Sequence, residues 1–191
     1  MSKAEFFDKV RPMFGNKMRQ EQVNGLNYLL TATEMLPCNH RAYVLATAYH
    51  ETAHTMQPIA EYGKGKGKKY GAVDSTGKAP YGRGYVQITW RENYVKADDK
   101  LKLGGKLAKD YDLALDPVIA AKIIVRGMEE GWFTGKKMSD YLTPEKSDYV
   151  GARRIVNGND KAAMIAGYAD KFHDALQCLE PKGGGWLQAI I

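Results

Sequence analysis

The chain has 191 residues, 44% of them hydrophobic and 26% charged, with 20 Gly and 7 Pro. That length and balance suit one globular domain able to bury a core without staples, and exclude a disordered, collagenous or disulfide-framework protein. The formal net charge of +6 points to a polyanionic partner, such as nucleic acid, anionic lipid or an acidic cell-wall polymer, without choosing among them.

No apolar run approaches the roughly 18 residues needed to span a bilayer. The opening Met1-Ser2-Lys3-Ala4-Glu5-Phe6-Phe7-Asp8 lacks the pattern of a secretory signal and reads as an amphipathic helix. Apolar residues at Val23, Leu26, Leu29, Leu30 and Met35 predict a helix over 18–36. A second is expected from Asn39, as its N-cap, to Met56, closed by Pro58. Between 57 and 88, Gly63, Gly65, Gly67, Gly71, Gly77, Gly82 and Gly84 erase any helical period. Loops and short strands are expected there, with Tyr85-Val86-Gln87-Ile88 the best strand candidate. Helical signals return at Thr89-Trp90-Arg91-Glu92, which fits a capping box. Asp116-Pro117 and Thr143-Pro144 each place a capping residue before a proline. Helices over 116–130, 147–156 and 159–180 complete a mainly α domain spanning 1–191, with a glycine-rich spacer and short apolar tail at 182–191. Cys38 and Cys178 form neither a CxxC pair nor a zinc-knuckle spacing, and read as small buried hydrophobes.

His50-Glu51-Thr52-Ala53-His54 matches H-E-x-x-H, which would set two imidazoles on one helix face beside a carboxylate. A catalytic zinc needs a third protein ligand. The only other histidines are His40 and His173, and no downstream Gly and His extend the motif. The zinc peptidase remains an alternative through a carboxylate ligand, but the reading adopted has no metal and no cofactor.

Glu51 judged alone is more informative. It falls near the C-terminal end of an apolar helix, where dipole and burial both disfavour a carboxylate, as suits a general acid. Glu61, ten residues on, lies in the polar insert, where a carboxylate could activate water. Two carboxylates in unlike environments are what glycosidic hydrolysis uses.

The run Tyr81-Gly82-Arg83-Gly84-Tyr85-Val86-Gln87-Ile88-Thr89-Trp90-Arg91-Glu92-Asn93-Tyr94 resembles the signature of glycoside hydrolase family 19, which contains chitinases and phage endolysins on a lysozyme-like fold. Ala48-Tyr49-His50-Glu51-Thr52 is similar to the family's acid-bearing helix, and Arg154-Ile155-Val156-Asn157-Gly158 to its cleft segment. The resemblance implies a lysozyme-like fold, with Glu51 as general acid, Glu61 as general base and Thr89 holding the attacking water. It implies that Tyr81, Gln87, Asn93 and Asn157 contact the sugars. It also implies inversion, with the carboxyls roughly 6.5–9.5 Å apart.

The ten-residue interval and Asn159-Asp160 after Asn157-Gly158 depart from the plant pattern and favour a glycan other than chitin, as in phage members. The expectation is therefore an endolysin of lysozyme type. It would cleave the β-1,4 bond between N-acetylmuramic acid and N-acetylglucosamine in peptidoglycan, with a chitinase as the nearest alternative. The run Lys64-Gly65-Lys66-Gly67-Lys68-Lys69 reads either as a solvated flexible loop or as a cationic rim for that acidic polymer. The expected partners are peptidoglycan strands and, indirectly, a hole-forming phage protein that releases the enzyme from the host cytoplasm to the periplasm. Neither nucleic acid nor stable membrane insertion is expected, and the protein reads as a monomer.

Overall fold

In helix α3 (Cys38–Glu51), every residue from Ala42 to Tyr49 is buried, which is the pattern of a helix surrounded by others rather than lying on a surface. The computed structural model describes residues 2–177 and 179, and around α3 it assembles six further helices. Helix α7 (Ala162–Leu176) lies along α3, and both helices carry buried alanines, among them Ala42, Ala46, Ala166 and Ala169. Helix α1 (Lys3–Val10) covers α7. Helix α2 (Gln20–Ala32) packs on α6 (Pro117–Glu130) and buries Leu26, Leu29 and Leu30, each worth about 2 kcal/mol of removed apolar surface.

The start of α6 follows the sequence expectation. Asp116 Oδ1 accepts from Val118 N (2.9 Å) and Ile119 N (3.0 Å), and Pro117 takes the first helical position. Helices α4 (Arg91–Leu101) and α5 (Lys106–Lys109) are joined through the buried Asp98, whose carboxylate accepts from Gly105 N, Leu107 N and Ala108 N. The insert contributes a two-residue hairpin, β1 (Ile59–Ala60) antiparallel to β2 (Arg83–Gly84), with Ile59 opposite Gly84 and Ala60 opposite Arg83. Among the described residues, no helix is long and apolar enough to cross a membrane.

Several expected boundaries move. Helix α3 begins after Pro37 and ends at Glu51, not Met56. Asn39 lies inside it and donates through Nδ2 to Thr143 O (2.8 Å). The helix stops because Thr52 Oγ1 donates to Ala48 O and accepts from Met56 N, while Ala53, His54 and Met56 take left-handed backbone angles. The strand falls on Arg83–Gly84, and Tyr85, Val86 and Gln87 form the turn by which Arg83 pairs with Ile88. Tyr85, Val86 and Ile88 are buried, so their apolar character reports packing rather than strand.

Thr89 caps no helix: the residue before α4 is Trp90, and no side chain bonds the helix start there. Thr143-Pro144 starts no helix either, because Leu142 and Ser147 bridge across a turn closed by Thr143 N donating to Lys146 O (2.8 Å). The helix expected over 147–156 is a 3-10 turn at Gly151–Ile155. Met35 lies beyond α2 and is exposed. Cys38 is partly buried against the core, whereas Cys178 and the tail at 182–191 lie outside the described residues.

Candidate active site

Helix α3 delivers Glu51 as its last residue, with the side chain 18% exposed. The carboxylate Oε1 accepts from Arg153 Nη1 at 2.8 Å, and Arg153 is itself buried. Arg153 Nε donates to Asp160 O (3.1 Å), and its backbone carbonyl accepts from Asn157 N (3.0 Å). Arg153 thus ties the end of α3 to the segment from Asn157 to Asp160, its guanidinium reaching Asp160 and its carbonyl Asn157. Glu51 Oε2 makes no hydrogen bond among the described residues. The sequence reading counted only the helix terminus and the apolar neighbours of Glu51, and the structure adds this opposing cation. Arg153 was not singled out because nothing in the pair Arg153-Arg154 distinguishes the buried member from the exposed one.

Glu61 follows directly on β1, and its amide donates to Gly82 O (2.8 Å) beside β2. Its Oε1 accepts from Gly65 N and its Oε2 from Gly82 N (3.2 Å). Thr89 Oγ1 donates to Gln87 O at 2.8 Å, which commits its only proton and leaves the hydroxyl an acceptor on its open side. A methyl group at Gly82 would lie 3.0 Å from Glu61 Oε2, 3.0 Å from Gln87 Oε1 and 3.4 Å from Thr89 Oγ1. Three acceptor oxygens therefore lie against the bare α-carbon of Gly82, where a side chain would crowd them. Tyr70 adjoins this group: burial first, and then the charge of Glu61, pushes its phenol above the ordinary value.

The Y-G-R-G…N-Y run divides into two functions. Arg83 is buried, with Nε on Asp112 Oδ1 (2.7 Å) and Nη1 on the carbonyls of Ala79 (3.1 Å) and Tyr81 (3.0 Å). The Tyr81 ring lies 3.6 Å from its guanidinium carbon, and Tyr94 OH donates to Tyr81 O (2.6 Å). Tyr81, Arg83 and Tyr94 thus form a packed ionic and aromatic anchor that fixes the hairpin on α4. The other half of the run faces a cleft of about 470 Å³, whose walls include Gln87, Thr89, Asn93 and Asn157. Tyr81 is not among the residues lining it. Gln87 spends its amide protons on Ile59 O and Gly84 O (both 2.9 Å), which staples the hairpin and turns Oε1 toward Gly82. Asn93 Nδ2 donates to Thr89 O (2.7 Å). Tyr70, Trp90 and Phe133 add aromatic walls, none of them anticipated from the sequence. A larger groove of about 810 Å³ between α2 and α6 contains none of the predicted residues.

The H-E-x-x-H match loses its geometry because the helix ends at Glu51. His54 has φ +65° and stacks on Tyr49, with ring centroids 4.0 Å apart. Burial lowers the pKa of both His50 and His54, with Glu51 opposing the shift at His50. Among the described residues, no three His, Cys, Asp or Glu side chains gather where a metal ion would be held.

A scan against protein-family models and a search of curated proteins give no match. Solved structures do. The chain is similar to a mutant chitinase C at 24% identity over 97% of this chain and 95% of that one, with a TM-score of 0.56. It is similar to chitinase C from Streptomyces griseus HUT6037 at 24% identity over 93% of this chain and 76% of that one, also with a TM-score of 0.56. A bacterial family 19 chitinase follows at 20% identity over 96% and 97%, with a TM-score of 0.54. The chain has the mainly α, lysozyme-like fold of these family 19 chitinases.

Proposed function

We propose that the protein is a glycoside hydrolase that cleaves β-1,4 bonds between acetylated amino sugars by an inverting mechanism, with Glu51 as acid and Glu61 as base. The observation that carries this reading is the placement of Glu61 Oε2, held by the Gly82 amide, close to Thr89 Oγ1, which lines the cleft. Both atoms accept hydrogen bonds, so a water held between them on the cleft side donates its two protons to them and points a lone pair outward. Glu61 takes one proton as the water oxygen bonds to the anomeric carbon. Glu51 Oε2 supplies a proton to the departing glycosidic oxygen, and the Arg153 guanidinium on Oε1 compensates the carboxylate that remains. Water enters from the face opposite the leaving group, which is the inverting geometry. Asn93 and Asn157 are in reach of a sugar in the cleft.

The polymer we propose is peptidoglycan, cut between N-acetylmuramic acid and N-acetylglucosamine by a phage-type endolysin acting in the periplasm after synthesis in the host cytoplasm. The exposed lysines beside Glu61 favour an acidic polymer over neutral chitin. The similar solved structures are chitinases, which favours the second reading, a chitinase. Digestion of Gram-negative peptidoglycan, borohydride reduction and mass spectrometry of the new ends tests both readings, with colloidal chitin as the parallel substrate. Muramitol ends are expected. Glucosaminitol ends would move the cut to the other bond, and free amino groups without new reducing ends would defeat the glycosidase reading.

A further inference from the structure

The loop after Glu61 is folded rather than loose. Lys64 N donates to Glu61 O (3.0 Å), Lys66 N to Gly63 O (2.9 Å), Lys68 N to Gly65 O (2.9 Å) and Gly71 N to Lys68 O (3.0 Å), giving consecutive turns. Its two ends touch: a methyl at Gly71 would fall 1.9 Å from Gly65 O, and one at Gly65 would fall 2.5 Å from the Gly71 α-carbon. The side chains of Lys64, Lys66, Lys68 and Lys69 are all exposed, and none makes an ion pair or hydrogen bond among the described residues. Elsewhere Lys78, Lys100 and Lys146 are paired with carboxylates. Positive charge is therefore held on a fixed frame with no internal use for it.

The same loop reaches the cleft through Tyr70, whose ring meets Trp90 edge-to-face at 5.3 Å. Trp90 is 40% exposed, although its size favours burial. It also holds φ +73°, a backbone region costly to a bulky side chain and found at binding sites, while its amide donates to Pro80 O (2.9 Å). An exposed indole kept in a strained conformation beside an unpaired cationic loop fits a ligand with an apolar sugar face and nearby carboxylates.

We propose that Trp90 with Tyr70 and the Lys64–Lys69 loop form one subsite for a peptide-substituted amino sugar, the aromatic rings taking the sugar face and the ammonium groups the carboxylates of the stem peptide. This rests on the glycoside hydrolase reading above and adds to it the feature by which the substrate is chosen. Exposed ion pairs contribute little each, so four lysines together give roughly tenfold in affinity, screened by salt over a Debye length of about 8 Å.

The test measures binding of the Glu51→Gln protein to two insoluble preparations: intact peptidoglycan, and the same glycan strands stripped of stem peptides by an amidase. Intact strands are expected to bind about tenfold more tightly at low salt. The difference should collapse when Lys64, Lys66, Lys68 and Lys69 are all changed to Gln, and Trp90→Ala should weaken binding to both preparations. Equal binding to the two preparations would overturn the subsite, as would a preference that survives the four substitutions. Duplex DNA binding as tightly as intact strands, and lost with the same lysines, would assign the loop to nucleic acid and overturn it too. Reducing-end release by the unaltered protein is read separately: its absence sinks the hydrolase reading, whereas release without stem preference sinks only the subsite.

Discussion

Glu51 ends a helix buried on every side, whereas Glu61 sits between a two-residue strand and a run of turns. The first is placed by core packing and held by a side chain from far along the sequence, Arg153. The second is held by the backbone amides of Gly65 and Gly82, both local to the insert. A packed helix fixes where a side chain begins and leaves its terminal atoms to be steered by a partner. A short hairpin has little packing of its own, so main-chain donors and close glycine contacts supply the rigidity. The two carboxyls should therefore respond to different perturbations.

The largest separation is expected from Glu51→Gln. Removing the acid should lower turnover on peptidoglycan about a thousandfold, roughly 4 kcal/mol in barrier, with a smaller drop in thermal midpoint because the buried Arg153 loses its counter-ion. Reducing-end assays beside thermal melts check it, and a variant retaining turnover would take Glu51 out of the reaction.

Arg153→Met should act mainly on stability, because it leaves Glu51 largely buried without its cation. A loss of about 3 kcal/mol in urea unfolding at neutral pH is expected, much of it recovered in the double variant with Glu51→Gln. Additive losses in the cycle would show that the pair is not coupled.

Gly82→Ala tests the loop carboxylate in the opposite way. Gly82 is not in the left-handed region, so alanine fits the backbone, and its methyl enters the space bounded by Glu61, Gln87 and Thr89. Stability should change by less than about 1 kcal/mol while turnover falls ten- to a hundredfold, as misplacement of a reacting group predicts. Unaltered turnover would take Glu61 and Thr89 out of the placing of the water.

The smallest effect concerns the anchoring of the insert. Desolvation alone would raise the carboxyl of Asp74, but hydrogen bonds from Thr76 and Tyr111 and the charge of Arg91 outweigh it and hold the group at about 2. A carboxyl depressed in the folded state adds stability above its unfolded value, and that stability is lost as pH falls from about 4 through 2. Asp74→Asn should therefore flatten the dependence of melting temperature on pH across that window, and a profile parallel to that of the unaltered protein would refute the assignment.

The helices were legible because their signals are local. Asp116-Pro117 encodes a cap and a first turn within four residues, and Leu26, Leu29 and Leu30 repeat at the helical period. The mainly α architecture followed from them, and the Y-G-R-G…N-Y run marked the insert as the place to look. What that run does was not legible. Tyr81, Arg83 and Tyr94 build an anchor, and Gln87, Thr89 and Asn93 line a cleft, yet nothing in their order separates the two groups. Thr143-Pro144 carries the same cap signal as Asp116-Pro117, and Asn39 reaching across to the Thr143 carbonyl helps hold a turn there instead.

By itself the sequence determined the helical periodicities, the cap that starts α6, the positive charge and the pair of glutamates either side of a helix end. Each of these depends on residues within a few positions of one another, or on totals. Only the tertiary structure decided that Arg153 lies on Glu51, that Gln22 Nε2 holds the His54 carbonyl beyond the helix end, and that Glu61 and Thr89 meet beside Gly82. Those outcomes depend on groups from distant segments competing for the same donors and the same space, and chain order alone does not rank the competitors.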